Sequence, residues 1–235
     1  MKMTLLQHFA ELRRRILWCA VIFVFAFALG WVVSPYIELF LVKPLMGVWQ
    51  NTMLLYTGIN DGLMIQFSLA TLVALIITVP CLMWHTWAYV APGLHKNERQ
   101  FLIPIFVFSP VLFLMGAAFA FYILFPFVFK FFIDLNESAL IPNVLLPSVR
   151  GYLSFCIDLL KVFGLAFQLP LVLIGLNRAG VLSKQMAIKA RRYVIIAVFV
   201  IAAMLTPPDV VSQILLALPM WGLFEISILF MRRDA

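Results

Sequence analysis

Long apolar runs, separated by short charged groups, limit what this chain can fold into more than any other feature. The longest, from Phe101 to about Phe132, contains a single charged side chain, Lys130. It exceeds the roughly 20 residues that a bilayer-spanning helix requires. Composition agrees, because 65% of the 235 residues are hydrophobic and only 11% are charged. Soluble domains average roughly half and roughly a quarter. One water-soluble core cannot hide so much apolar surface, so the expected class is an all-α, polytopic membrane protein.

The runs predict six spans in a single domain covering residues 1–235, at about 16–33, 65–90, 101–132, 152–176, 193–205 and 212–230. Before the first, Leu5, Phe9, Leu12 and Ile16 recur at helical spacing, which predicts a short amphipathic surface helix over 3–15. The first run is too long for a signal-peptide core and no small-residue cleavage site follows, so it is expected to be retained. Residues 34–64, with Pro35, Pro44, Gly58 and Gly62 as breakers, read as a folded loop outside the membrane. The last two runs are short and separated only by TPPDVV, a tight turn. At 1.5 Å per residue, Tyr193–Leu205 rises only about 20 Å against a hydrocarbon core of about 30 Å. Either the bilayer thins around it, or the helix starts earlier and its arginines snorkel.

Charge sets the orientation. With the N-terminus inside, the inner segments carry thirteen Lys and Arg residues, including Arg13, Lys96, Arg99, Arg191 and Arg192, for a net +10. The outer segments, with Glu38, Asp61, Asp134, Glu137 and Asp209, sum to −2. Basic residues collect in cytoplasmic loops, so both termini are expected in the cytoplasm. The same topology accounts for the net charge of +7 without nucleic acid, for which no basic stripe with interleaved aromatics is present. Cys19, Cys81 and Cys156 lie in apolar runs without metal spacing and read as small buried hydrophobes. His8, His85 and His95 show no ligand spacing, so neither a metal nor another cofactor is expected.

Six motifs occur in order along the chain: HFAELRRRI (8–16), WAYVAPGLHKNER (87–99), GYLSF (151–155), FGLAFQLPL (163–171), LTPPDVVSQ (205–213) and LFEI (223–226). Together they resemble the TatC family, the receptor subunit of twin-arginine protein translocases. The resemblance implies a non-enzymatic receptor that binds twin-arginine signal peptides of folded precursors, with export driven by the proton-motive force. It also implies partners of the single-span TatA and TatB type and contact with membrane lipids; self-association is a further option. A bacterial cytoplasmic (inner) membrane is expected in preference to an organellar one.

Residue by residue, Glu98 and Glu11 match the family's signal-binding carboxylates. Twin arginines present planar guanidinium forks whose best bidentate partners are carboxylates. Only Glu11, Glu98 and the tail residue Asp234 offer them on the inner side. Glu98 is expected to be the main partner and Glu11 the secondary one, against the plainer reading of Glu98 as a surface pair with Lys96 or Arg99. Pro92, Leu94, Lys96 and Arg99 match the loop motif, and Tyr89 stands where relatives often carry Phe; Tyr89 and Leu94 would add an apolar contact. Arg13 would position Glu11, bind lipid phosphate or simply anchor the topology. Pro44 matches a loop proline and reads as a structural turn.

Within the spans, polar groups are costly and are functional candidates. Gln168 stands where many relatives carry Glu; it can hydrogen-bond but cannot titrate. It reads either as a contact on a concave face or as an internal helix–helix hydrogen bond. Thr206, Pro207, Asp209 and Glu225 are further candidates for polar or partner contacts. Asp158 and Lys161, three apart on one helix face, can neutralise each other. A secondary transporter using Asp158, Lys161 and Glu225 as ion sites is the competing class, but no repeated halves with paired broken helices are visible. Hydrolase motifs such as HExxH and GxSxG are absent.

Overall fold

In a computed structural model of the chain, residues 5–48, 54–90, 108–137, 148–178, 180–206 and 210–232 are described. The first apolar run starts a helix that proline does not stop. Helix α1 (Leu5–Val48) is 44 residues long and contains both Pro35 and Pro44. The amphipathic segment and the first run are therefore one rod, and residues 34–48, expected in a loop, belong to it. Local chemistry explains the continuity at Pro35. Proline has no N–H for the carbonyl four residues back, here that of Trp31. The Ser34 hydroxyl donates to that oxygen at 2.8 Å, and Ser34 is fully buried. Pro44, expected at a turn, lies in the same helix four residues before its end.

Helix α2 (Asp61–Val90) contains Pro80. The third rod comprises α3 (Ser109–Phe119), one π-helical turn (Ala120–Leu124) and α4 (Phe125–Glu137). The wide turn precedes Pro126, whose ring would crowd the Tyr122 carbonyl in an α register. There the Phe125 N–H reaches back five residues to the Ala120 carbonyl, which absorbs the misfit. The fourth rod is α5 (Val149–Ala166) followed by α6 (Leu169–Arg178), interrupted at Phe167–Gln168 just ahead of Pro170. Ser148 caps α5 by accepting from the Gly151 N–H at 3.0 Å.

Helix α7 (Lys184–Leu205) starts nine residues before the apolar run, behind an N-cap at Ser183. Its 22 residues rise about 33 Å, so the earlier-start alternative is the one observed, with Arg191 and Arg192 inside the helix. Helix α8 (Val210–Phe230) closes the described fold, with Pro219 in its interior. Among the described residues, five rods are long and apolar enough to cross a membrane: Ala10–Leu45, Asp61–Thr86, Ser109–Leu135, Val149–Arg178 and Val210–Phe230. Helix α7, carrying Lys184, Lys189, Arg191 and Arg192 in its first nine residues, is not among them. Among the described residues there is no β-strand, only an isolated bridge between Leu55 and Ser148.

Helix α1 lies along α2, α5 packs against α2 and α3, and α8 packs against α6 and α7. Phe125, Leu153, Cys156 and Phe163, each at most about 1% exposed, centre the core. Gly116 lets α3 close on α5, because a Cβ there would collide with the Phe163 carbonyl. The outer wall is apolar, with Phe25 and Val32 of α1 more than 70% exposed. Apolar side chains outside as well as inside are what lipid requires of a bundle.

Candidate functional site

Glu11 and Arg15 stand one turn apart on α1, the spacing at which helix side chains meet. Arg15 donates to Glu11 Oε1 from Nε at 3.0 Å and also from Nη2. Its Nη1 reaches the backbone carbonyl of His85, near the end of α2, at 3.4 Å. Arg15 thus orients the carboxylate and ties the first turns of α1 to the last turns of α2. Glu11 Oε2 is buried and has no hydrogen-bond partner among the described residues. Buried polar atoms are nearly always paired, so an open lone pair on a fixed carboxylate is a place for an incoming N–H donor. His85 Nδ1, buried and equally unpaired among the described residues, is on the helix end that Arg15 touches.

Arg13 is exposed on α1. Tyr89 lies in the last turn of α2, and its side chain falls outside the described residues, as do Pro92, Leu94, Lys96, Glu98 and Arg99. In the sequence Glu98 follows eight residues after Val90, the last residue of α2, which is itself five residues beyond the His85 whose carbonyl Arg15 contacts.

Inside the bundle, Gln168 is buried, and both ends of its amide meet one residue. Its Oε1 accepts from Ser109 Oγ at 2.9 Å and its Nε2 donates to the Ser109 carbonyl at 2.8 Å. This pair joins the break in the fourth rod to the start of the third, which is the internal helix–helix alternative. Thr206 caps α7 and donates to the Ala202 carbonyl at 2.9 Å; Pro207 and Asp209 lie outside the described residues. Glu225 on α8 accepts from Arg191 on α7 at 2.7 Å, and Arg192 lies over the Tyr193 ring at 4.9 Å. The Lys161 ammonium meets Asp158 at 3.1 Å. No group of His, Cys, Asp and Glu side chains suited to a metal ion occurs among the described residues.

Three polar residues that sequence reasoning did not single out complete these contacts. Arg15 was legible from its i,i+4 spacing to Glu11. Ser109 and Asn177 gave no local signal, because their partners are distant in sequence. Asn177 holds the Leu182 carbonyl at 2.9 Å and the Arg232 N–H at 2.8 Å, and so fastens the end of α6 to the end of α8.

Comparison with known proteins agrees with the six motifs. The family described as Sec-independent protein translocase protein (TatC) matches residues 7–219. The chain is 37% identical over 232 residues to the Sec-independent protein translocase protein TatC of Magnetococcus marinus, covering 98% of this chain and 84% of that one. It is 34% identical over 230 residues to the TatC of Escherichia coli, covering 97% and 88%. Among solved structures, a crystal structure of the twin arginine translocase receptor TatC in DDM superposes with a TM-score of 0.87 at 32% identity, covering 96% of this chain and 99% of that one. The chain belongs to the TatC family of Sec-independent protein translocases.

Proposed function

We propose that this multi-pass membrane protein is the core receptor subunit of a twin-arginine translocase, and that Glu11 and Glu98 hold the paired arginines of the signal peptide. The family membership and the likeness to a solved receptor support the translocase function. The observation that carries the site is Glu11, fixed by Arg15 on one oxygen and, among the described residues, buried without a partner on the other. Binding would seat one guanidinium on that unpaired oxygen, displacing the side chains that bury it, while Glu98, on the segment following α2, takes a second one. Charge-assisted N–H···O bonds are roughly twice as strong as neutral ones. That strength is needed beside an inner surface with a net charge of +10, where screening over about 8 Å confines repulsion to near neighbours. Arg13, Lys96 and Arg99 flank the carboxylates, and Tyr89, Pro92 and Leu94 shape an apolar rest for the signal sequence.

In this reading six helices cross a bacterial inner membrane with both termini in the cytoplasm. TatA- and TatB-like single-span proteins dock on the bundle, and Thr206, Pro207, Asp209 and Glu225 lie along their path, while Gln168 keeps its internal pairing with Ser109. The groups a transporter would use as ion sites are already engaged, Asp158 by Lys161 and Glu225 by Arg191. Binding of a twin-arginine peptide to the full chain in nanodiscs tests the site. Glu98→Ala should weaken binding at least tenfold and Glu11→Ala several-fold, with a double-lysine peptide bound weakly by all. Equal binding of the two peptides by the unaltered chain would overturn the proposal. Orientation is tested by an impermeant thiol reagent, which should reach Ile59→Cys from the periplasmic face only; labelling from the cytoplasmic face would reverse the topology.

A further inference from the structure

Helices α1 and α2 run antiparallel in contact, and their contacts fix which residues face each other. Near one end Arg15 Nη1 reaches the His85 carbonyl at 3.4 Å. Further along, Gly30 lies against Ala70, where a Cβ would come within 2.8 Å of the Ala70 carbonyl oxygen. Arg15 to Gly30 is fifteen residues forward and His85 to Ala70 fifteen residues back, so one register holds between the two contacts. From the first contact, one turn forward on α1 is Cys19 and one turn back on α2 is Cys81. Ala26 and Ala74, both buried, face each other by the same count.

The seam is built of small side chains, with Cys19, Ala26 and Gly30 on α1 and Ala70, Ala74 and Cys81 on α2. Small residues let helix backbones approach closely, and a disulfide needs facing Cβ atoms roughly 3.5–4.5 Å apart. Both cysteines are free thiols, Cys19 buried and Cys81 partly exposed. They are near enough for charge on Cys81 to act on Cys19. The third cysteine, Cys156, is fully buried in the core on α5.

We infer that Cys19 and Cys81 are a dithiol pair that closes to a disulfide, a reversible covalent lock between α1 and α2 one turn from the Arg15–His85 contact. The oxidant is a small uncharged disulfide. Cys81, the more accessible, attacks one acceptor sulfur as its thiolate and expels the first acceptor thiolate. Cys19 then attacks the Cys81 sulfur of the mixed disulfide and expels the second. The two cysteines give up two electrons and two protons, and the acceptor is reduced to two thiols. The lock is independent of how Glu11 is used.

Stoichiometry and linkage test it. A Cys156→Ala variant of the full chain, purified in detergent, is treated with one equivalent of 4,4′-dithiodipyridine, and the released thiopyridone is followed by absorbance. Two thiopyridones per chain should be released with no pyridyl adduct retained, and a non-reducing digest should yield the Cys19 and Cys81 peptides joined. Closure should be at least about tenfold faster than in the chain unfolded in SDS and urea, where the 62 positions between the cysteines form a flexible loop that is costly to close. Cys19→Ala in the same background should stop at one thiopyridone, with the adduct on Cys81. Finding the same joined peptides in the unaltered chain makes the result independent of the change at Cys156. A retained adduct on Cys81 beside a free Cys19, adducts on both, or no release of thiopyridone would overturn the pairing. Closure no faster in the folded chain than in the unfolded one would overturn it as well.

Discussion

Single hydroxyls and amides decide where helices continue in this fold. Ser34 is the clearest case, since its hydroxyl takes over the Trp31 carbonyl that Pro35 leaves without an N–H. In water that carbonyl would turn to solvent, but in a bilayer it has no such recourse, and hydroxyl side chains are among the groups that restore pairing. Ser34→Ala should therefore cost about 0.5–2 kcal/mol, the span measured for hydrogen bonds within membrane bundles, while Ser34→Thr should retain most of it. A denaturation series in mixed micelles measures both. An alanine variant as stable as the parent would show that the Trp31 carbonyl finds another partner. Gln168 works on the same principle: its amide is used on both sides by Ser109, which fixes the ends of two rods to each other.

Among the elements, the positions of the five long apolar helices were legible because a hydrophobic run of span length is stable in few settings besides a bilayer. The third and fourth runs correspond to Ser109–Leu135 and Val149–Arg178, and the last to α8. The extent of α1 was not legible. Pro35 and Pro44 read as breakers by rules drawn from helices in water, and the compensating hydroxyl of Ser34 looks like any other serine in the sequence. The early start of α7 was open for a related reason, because Lys189, Arg191 and Arg192 look like an aqueous loop until their partners are known. Arg191 has Glu225 of α8, and Arg192 has the ring of Tyr193. At the site, Glu11 with Arg15 could be read from spacing along one helix. The contact of Arg15 with the His85 carbonyl could not, because it joins residues 70 positions apart.

At the scale of the whole molecule, one end of the bundle is fastened by a clamp around Asp61, four residues ahead of the apolar run that begins at Ile65. Its Oδ2 accepts from the Gly58 N–H at 2.6 Å and from the Thr57 N–H and hydroxyl at 3.1 Å each, and its Oδ1 from Arg150 at 3.3 Å. Beside it the Val149 N–H donates to the Leu55 carbonyl at 3.0 Å, so the segment before α2 and the start of α5 are joined twice. The Gly58 N–H first, then the Thr57 hydroxyl, Arg150 and the Thr57 N–H, hold the Asp61 carboxyl below its ordinary range, against the opposing effect of burial. A carboxylate whose folded pKa is depressed contributes stability that is complete above its unfolded value of about 3.9, and that stability is lost as pH falls through the lower folded value. The protein in detergent should therefore lose stability on acidification below about pH 4, and Asp61→Asn should remove that part of the loss while lowering stability at neutral pH. Thermal unfolding followed from pH 7 to pH 3 measures both slopes. Parallel curves for the parent and Asp61→Asn would show that the clamp makes no contribution to folding, and that α5 is seated by its buried face alone.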